Sequence, residues 1–115
     1  MPPSAEDRLR DIVETIGHIE TRTAGKSLAD FKASFDLQLM IERLLLIVCE
    51  ASHRLPAELK SEATDIEWRR INDLGNRLRH AYHTIESETV WNIVTAELPR
   101  LKSFAQMQRR AAPRN

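Results

Sequence analysis

Nine consecutive residues, Gly75-Asn76-Arg77-Leu78-Arg79-His80-Ala81-Tyr82-His83, gather most of the chemistry-bearing side chains of this chain into one short stretch. Guanidiniums, imidazoles, an amide and a phenol crowded together suit the cleavage of a phosphodiester. His80 would move the proton of a ribose 2′-hydroxyl, and Arg77 or Arg79 would hold the phosphoryl oxygens as charge grows on them. The same string also reads as the basic last turn of a helix, where cations are favoured by the helix dipole. Residue types alone leave both readings standing.

Other chemical templates fail. The chain has no Gly-rich phosphate loop, no His-x-x-x-His or His-Glu-x-x-His zinc pattern and no CxxC. Glu42 and Glu50 lack an accompanying Glu-x-x-His, which argues against a carboxylate-bridged pair of metals. No metal and no cofactor is therefore expected. Cys49 sits in the apolar run Leu44-Leu45-Leu46-Ile47-Val48-Cys49 and reads as a buried small hydrophobe. His18 falls opposite its helix's apolar stripe and His53 beside Arg54 at a helix end, positions suited to solvation or carbonyl capping.

The elements that must position the string are helical. Ser4 with Asp7 and Ser27 with Asp30 are capping-box-like starts. After the first, Leu9, Ile12, Val13, Ile16 and Ile19 form one apolar stripe, and Gly25 marks the stop. A short helical piece through Phe31 leads into a long helix from about Phe35 to Arg54, ended by Pro56. The middle of this helix is apolar all round, so it needs cover on several sides, from the bundle or from a second copy. Ala57 to Ala63 makes a brief helix. Asp65 is placed to cap a fourth long element, Ile66 to about Ala81, with the stripe Trp68, Ile71, Leu74 and Leu78, and with Arg69, Asp73, Asn76 and His80 on the opposite side. A last helix opens at Ser87 and carries Val90, Ile93, Val94, Leu98, Leu101 and Ala105, with Pro99 opposite the stripe where a bend is tolerable. The expected fold is all-α, a single up-and-down bundle of four to five helices spanning residues 1–115, ordered over about 5–108 and frayed from Arg109 onward.

At 115 residues the chain supports one domain, and 42% hydrophobic with 30% charged residues is a globular composition. Neither a membrane span nor a secretory signal is expected, and one cysteine fits a reducing cytoplasm. The formal net charge is zero, but it is a cancellation. Residues 1–67 hold 8 basic and 13 acidic side chains, a net −5, while residues 68–115 hold 9 basic and 4 acidic, a net +5. A small basic site on an otherwise acidic bundle suits a short single-stranded segment or a nucleotide better than a duplex.

The string resembles the signature of the HepT-like (DUF86) branch of the HEPN superfamily: an arginine, a polar residue, three variable residues, then His-x-Tyr. Aligned on it, Asn76 is the polar residue, His80 the histidine and Tyr82 the tyrosine. Glu50-Ala51 after a run of aliphatics is similar to that family's Gly-Glu-Ala helix. Leu55-Pro56, Ile66-Glu67-Trp68-Arg69 and Val90-Trp91 match its neighbouring landmarks, so the resemblance covers roughly residues 7–104. It implies a metal-independent ribonuclease toxin acting at a homodimer cleft, with RNA as substrate and His80 as acid/base. It also implies a nucleotidyltransferase-type antitoxin that transfers AMP to Tyr82.

The family's arginine falls on Gly75. Arg79, one turn on and about 40° round the helix, or Arg77, about 60° from His80, would have to take its place, with Asn76 orienting. A glycine there also fits close helix–helix packing, for instance at a dimer two-fold. Three functional classes follow: a ribonuclease, a non-catalytic binding subunit of a nucleotidyltransferase complex, or a dimeric adaptor whose basic half binds anions.

Overall fold

The computed structural model describes residues 3–111, apart from the side chain of Tyr82. Both expected capping boxes are present. Ser4 Oγ accepts from the Asp7 amide at 3.1 Å while Asp7 Oδ2 accepts from the Ser4 amide at 2.9 Å, opening α1 (Ala5–Thr23). Ser27 and Asp30 repeat the exchange at 3.2 and 2.9 Å to open α2 (Leu28–Ala33). The amide and hydroxyl of the capping serine hold each aspartate's carboxyl below its ordinary pKa, because those hydrogen bonds favour the charged form. Between the two helices Gly25 has φ 72, a left-handed conformation that glycine adopts without a Cβ penalty.

Ser34 caps the long α3 (Phe35–His53), and α4 (Ala57–Lys60) is the brief helix after Pro56. α5 (Trp68–His80) starts later than Asp65 would place it. Glu67 occupies the N-cap without a side-chain hydrogen bond, and the start is held instead by Trp68, whose indole Nε1 donates to the Lys60 carbonyl at 3.0 Å. A 3₁₀ turn (Tyr82–Thr84) leads to α6 (Ser87–Asn92), a π-helical stretch (Ile93–Glu97) and α7 (Leu98–Ala111). The widened turn lies directly before Pro99. Proline offers no amide to the preceding turn and its ring crowds the carbonyl four residues back, so opening the ladder removes the clash. The expected bend at Pro99 is thus a local widening within the last helix.

The helices pack as an up-and-down bundle in which α1 lies against α3 and α7, and α3 against α5. Ile12, Ile16 and Ile19 of α1 are wholly buried, each stabilising the fold by about 1.5–3 kcal/mol. At the rim of the α1–α7 pair, Lys102 reaches Glu20 at 2.6 Å and Arg109 reaches Glu6 at 3.1 Å. Arg109 therefore belongs to the ordered bundle, and α7 continues to Ala111, past the expected fraying point; residues 112–115 of the expected tail lie outside the described residues. Trp68 stacks edge-on against Phe104 to join α5 to α7, and Phe31 meets Trp91 to join α2 to α6.

The apolar middle of α3 is mostly covered within the chain. Leu45, Val48 and Cys49 are buried, and Leu44 and Leu46 are half-buried. What stays exposed lies largely in the first half of the helix, where Phe35 is 70%, Leu39 46% and Met40 43% accessible. Among the described residues no helix is long and apolar enough to cross a membrane.

At one point α5 packs tightly on α3. Gly75 is buried, and a Cβ added there would lie 2.9 Å from the Cβ of Cys49. The close packing expected of a glycine at this position is therefore found inside one chain. Cys49 Cβ is fixed to its backbone, so an alanine at 75 must push the helices apart. Overpacking costs about 1–3 kcal/mol, which over most of that range exceeds the roughly 1 kcal/mol of helix propensity an alanine regains. We predict that Gly75→Ala lowers stability in urea by up to about 2 kcal/mol. Cys49→Ala should not rescue it, because the Cβ remains, whereas Cys49→Gly should.

Candidate functional site

The candidate residues lie where α5 ends. Its apolar stripe turns Leu74, Gly75 and Leu78 inward, and this places Asn76, Arg77, Arg79 and His80 on the exposed side. The helix stops at His80. Ala81 leaves helical geometry at φ −148, ψ 37, with its amide still donating to the Arg77 carbonyl at 2.8 Å. Thr84 then closes the 3₁₀ turn, its amide and its hydroxyl donating to the Ala81 carbonyl at 2.9 and 2.7 Å.

Arg77 and Arg79 hold different things. Arg77 Nη2 donates to the Thr84 carbonyl at 2.8 Å, so this guanidinium staples the turn after α5 back onto the helix. The residue as a whole is exposed. Arg79 points the other way, toward α3. It forms an ion pair with Glu50 and donates to Asn76 Oδ1. Glu50 also lies 3.8 Å from Arg54, so one carboxylate gathers two guanidiniums. The Asn76 carbonyl oxygen is thereby turned to Arg79, not to His80.

His80 is exposed and forms no hydrogen bond or ion pair among the described residues, so its ring is accessible to a substrate. The backbone of Tyr82 begins the 3₁₀ turn, two residues past His80, while its side chain lies outside the described residues. The structure thus brings Asn76, Arg79 and Glu50 together, and holds Arg77 against the turn that carries Tyr82. Gly75, the position aligned with the family arginine, faces Cys49 in the core; a long side chain there has no space in this packing.

Cys49 itself is silent. Burial pushes its thiol up to about 12, against a weaker opposing pull from Arg79, so the thiolate needed for nucleophilic chemistry is essentially absent near neutrality. His18 and His53 are exposed, as expected, and the His53 carbonyl accepts from Lys60. Among the described residues no three His, Cys, Asp or Glu side chains are gathered so as to hold a metal ion.

A cleft of about 260 Å³ opens on the far side of Arg79, on the outer face of α3. Arg8 and Asp11 border it from α1, Arg43, Leu46, Ile47, Glu50 and Ala51 from α3, and Arg79 from α5. In linear sequence Arg8 and Arg43 look like ordinary solvated helix charges, and no spacing rule links them to the Gly75–His83 string. Only the packing of α1 and α5 on either side of α3 makes them neighbours.

Three comparisons bear on this arrangement. A family profile described as ribonuclease HepT-like matches residues 12–107. A probable ribonuclease HepT of Thermococcus cleftensis is 33% identical over 102 residues, covering 89% of this chain and 93% of that protein. A putative RNase of Caldanaerobacter subterraneus subsp. tengcongensis is 27% identical across 82% of this chain and 84% of its own length. A two-function protein of Methanocaldococcus jannaschii, named as a gamma-glutamylcyclotransferase and putative RNase, is 31% identical over 94 residues but matches across only 42% of its length. No solved structure matches the chain. The profile spans α3, α5, the whole His80 turn and most of α1 and α7, so the chain belongs to the HepT-like ribonuclease family.

Proposed function

We propose that this protein is a metal-independent RNA endonuclease whose general acid/base is His80. The observation that carries the reading is an exposed imidazole at the end of α5, beside a turn that Arg77 pins, in a chain of the HepT-like family. His80 takes the proton of a ribose 2′-hydroxyl, and the 2′-oxygen attacks phosphorus. The P–O5′ bond breaks and the leaving oxygen is protonated, giving a 2′,3′-cyclic phosphate and a 5′-hydroxyl. Arg79 is the phosphate clamp. Its partner Glu50 is an anion, so a phosphoryl oxygen can take the carboxylate's place, and Asn76 orients the guanidinium. Arg77 holds the turn and contributes positive charge to the same end of α5.

The protein acts as a homodimer in the cytoplasm. Phe35, Leu39 and Met40 leave an apolar patch on α3 that an isologous contact would bury, bringing two such sites to one assembly. Its activity is silenced by a nucleotidyltransferase-type antitoxin, the protein itself being the toxin. The Tyr82 phenol oxygen attacks the α-phosphorus of a nucleoside triphosphate held by that partner, pyrophosphate leaves, and the added phosphate repels RNA. A second reading is favoured by Gly75 and by the engagement of both arginines: a non-enzymatic subunit that contributes only a binding surface to the nucleotidyltransferase complex.

Purified protein should cleave single-stranded RNA, and His80→Ala should lower kcat by about 10²–10⁴-fold with an unchanged helical circular dichroism spectrum. Arg79→Ala should lower kcat more than Arg77→Ala does; cleavage that survives His80→Ala would sink the enzyme reading. Mass spectrometry after co-expression with a nucleotidyltransferase partner should find one AMP on Tyr82, and an unmodified tyrosine in a stable complex would favour the binding subunit. Light scattering should give a dimer that Leu39→Lys dissociates.

A further inference from the structure

We infer that the cleft between α1, α3 and α5 is a second phosphate subsite, which holds the backbone of single-stranded RNA beside the nucleotide bound at His80. This rests on the ribonuclease reading for the identity of the polymer. The subsite itself follows from the charges and shape of the cleft. Arg8, Arg43 and Arg79 reach it from three different helices. Arg79 is paired with Glu50, but the guanidiniums of Arg8 and Arg43 have no ion pair or hydrogen bond among the described residues. Asp11 weakens the local field without neutralising both. Two uncommitted guanidiniums facing one opening form the fork-like donor set that binds phosphoryl oxygens.

Size and lining decide what enters. At about 260 Å³ the cleft falls below the usual range for a site enclosing a whole small molecule, roughly 300–1,000 Å³. Beside the charged groups it is lined by Leu46, Ile47 and Ala51, and among the described residues no aromatic side chain lines it, so a base would find no ring to stack on. A backbone phosphate needs neither. Arg79 is the hinge between the two places, since it borders the cleft and directly precedes His80 in the chain. A strand with one phosphodiester at His80 therefore runs past Arg79 and lays a neighbouring phosphate between Arg8 and Arg43. The cleft adds affinity and register while the chemistry stays at His80, so its residues are positioning residues.

The test compares Arg8→Gln/Arg43→Gln with Arg22→Gln/Arg100→Gln, which removes the same charge away from the cleft. Binding of a labelled six-nucleotide RNA is measured by anisotropy in the His80→Ala background, over a range of salt. The cleft variant should bind about tenfold more weakly per arginine. Its salt dependence should also be shallower by about 1.4 in the log–log slope, the counterion release of two single-strand contacts. The control should match the parent. With His80 intact, the cleft variant should raise KM for the hexanucleotide and leave cleavage of a dinucleotide, whose one phosphate occupies His80, unchanged.

Unchanged affinity and slope would overturn the subsite while leaving the ribonuclease reading intact. A protein that cleaves no RNA, yet still loses hexanucleotide affinity in the cleft variant, would overturn that reading and keep the subsite. Displacement of the hexanucleotide by AMP at comparable concentration would mean a nucleotide pocket, and a change in dimerisation with RNA binding untouched would mean a protein interface. Either outcome overturns the proposal.

Discussion

The contact on which the arrangement turns is the approach of Gly75 to Cys49. With no side chain at 75, α5 settles against α3 at a distance that even one methyl group would disturb. That closeness lets Arg79, one turn further along α5, reach Glu50 on α3. It also sets one wall of the cleft on the outer face of α3. The same contact buries Cys49 and removes it from chemistry, because a thiol raised to about 12 by its surroundings ionises too rarely to react. Position 75 is thus part of the core, and Arg79 stands one turn further along α5.

The arginines divide the labour around this contact. Arg77 ties the turn after α5 to the helix, Arg79 is drawn to the carboxylate on the neighbouring helix, and Arg8 and Arg43 remain uncommitted. Charges held by an internal partner position structure, and charges without one are available to a ligand. The segregation of charge along the chain therefore understates what the folded surface offers. Arg8 and Arg43 come from the acidic half, residues 1–67, and join Arg79 of the basic half at one cleft. The arginines at this cleft thus come from both halves of the chain.

Much of the bundle was legible from local rules. The serine–aspartate pairs open α1 and α2 because their hydrogen bonds lie within one turn. The stripe Trp68, Ile71, Leu74 and Leu78 identified α5 and turned Asn76, Arg79 and His80 outward. The misplaced elements were those where distant groups compete with local ones. Asp65 looked like a cap, but the indole of Trp68 reaching the Lys60 carbonyl fixed the start of α5 further along. The tail looked frayed, but Glu6 on the other end of the chain holds Arg109. The π-helical widening before Pro99 appeared from sequence only as a tolerated bend, since how a helix absorbs a proline depends on what its flanks pack against.

By itself the sequence determined the all-α bundle, the family, and the exposed string around His80, because capping, periodicity and motif spacing act over a few residues. Tertiary structure decided what each cation of that string touches. Gly75 was a gap in a motif until Cys49 was found filling the space opposite it. Arg77 and Arg79 were equivalent candidates until Thr84 engaged one and Glu50 the other. Arg8 and Arg43 carried no signal at all, since helices far apart in the chain come together only when apolar burial folds them around α3. Coulombic forces act through space and within about a Debye length, so a charge has meaning only once its neighbours are placed.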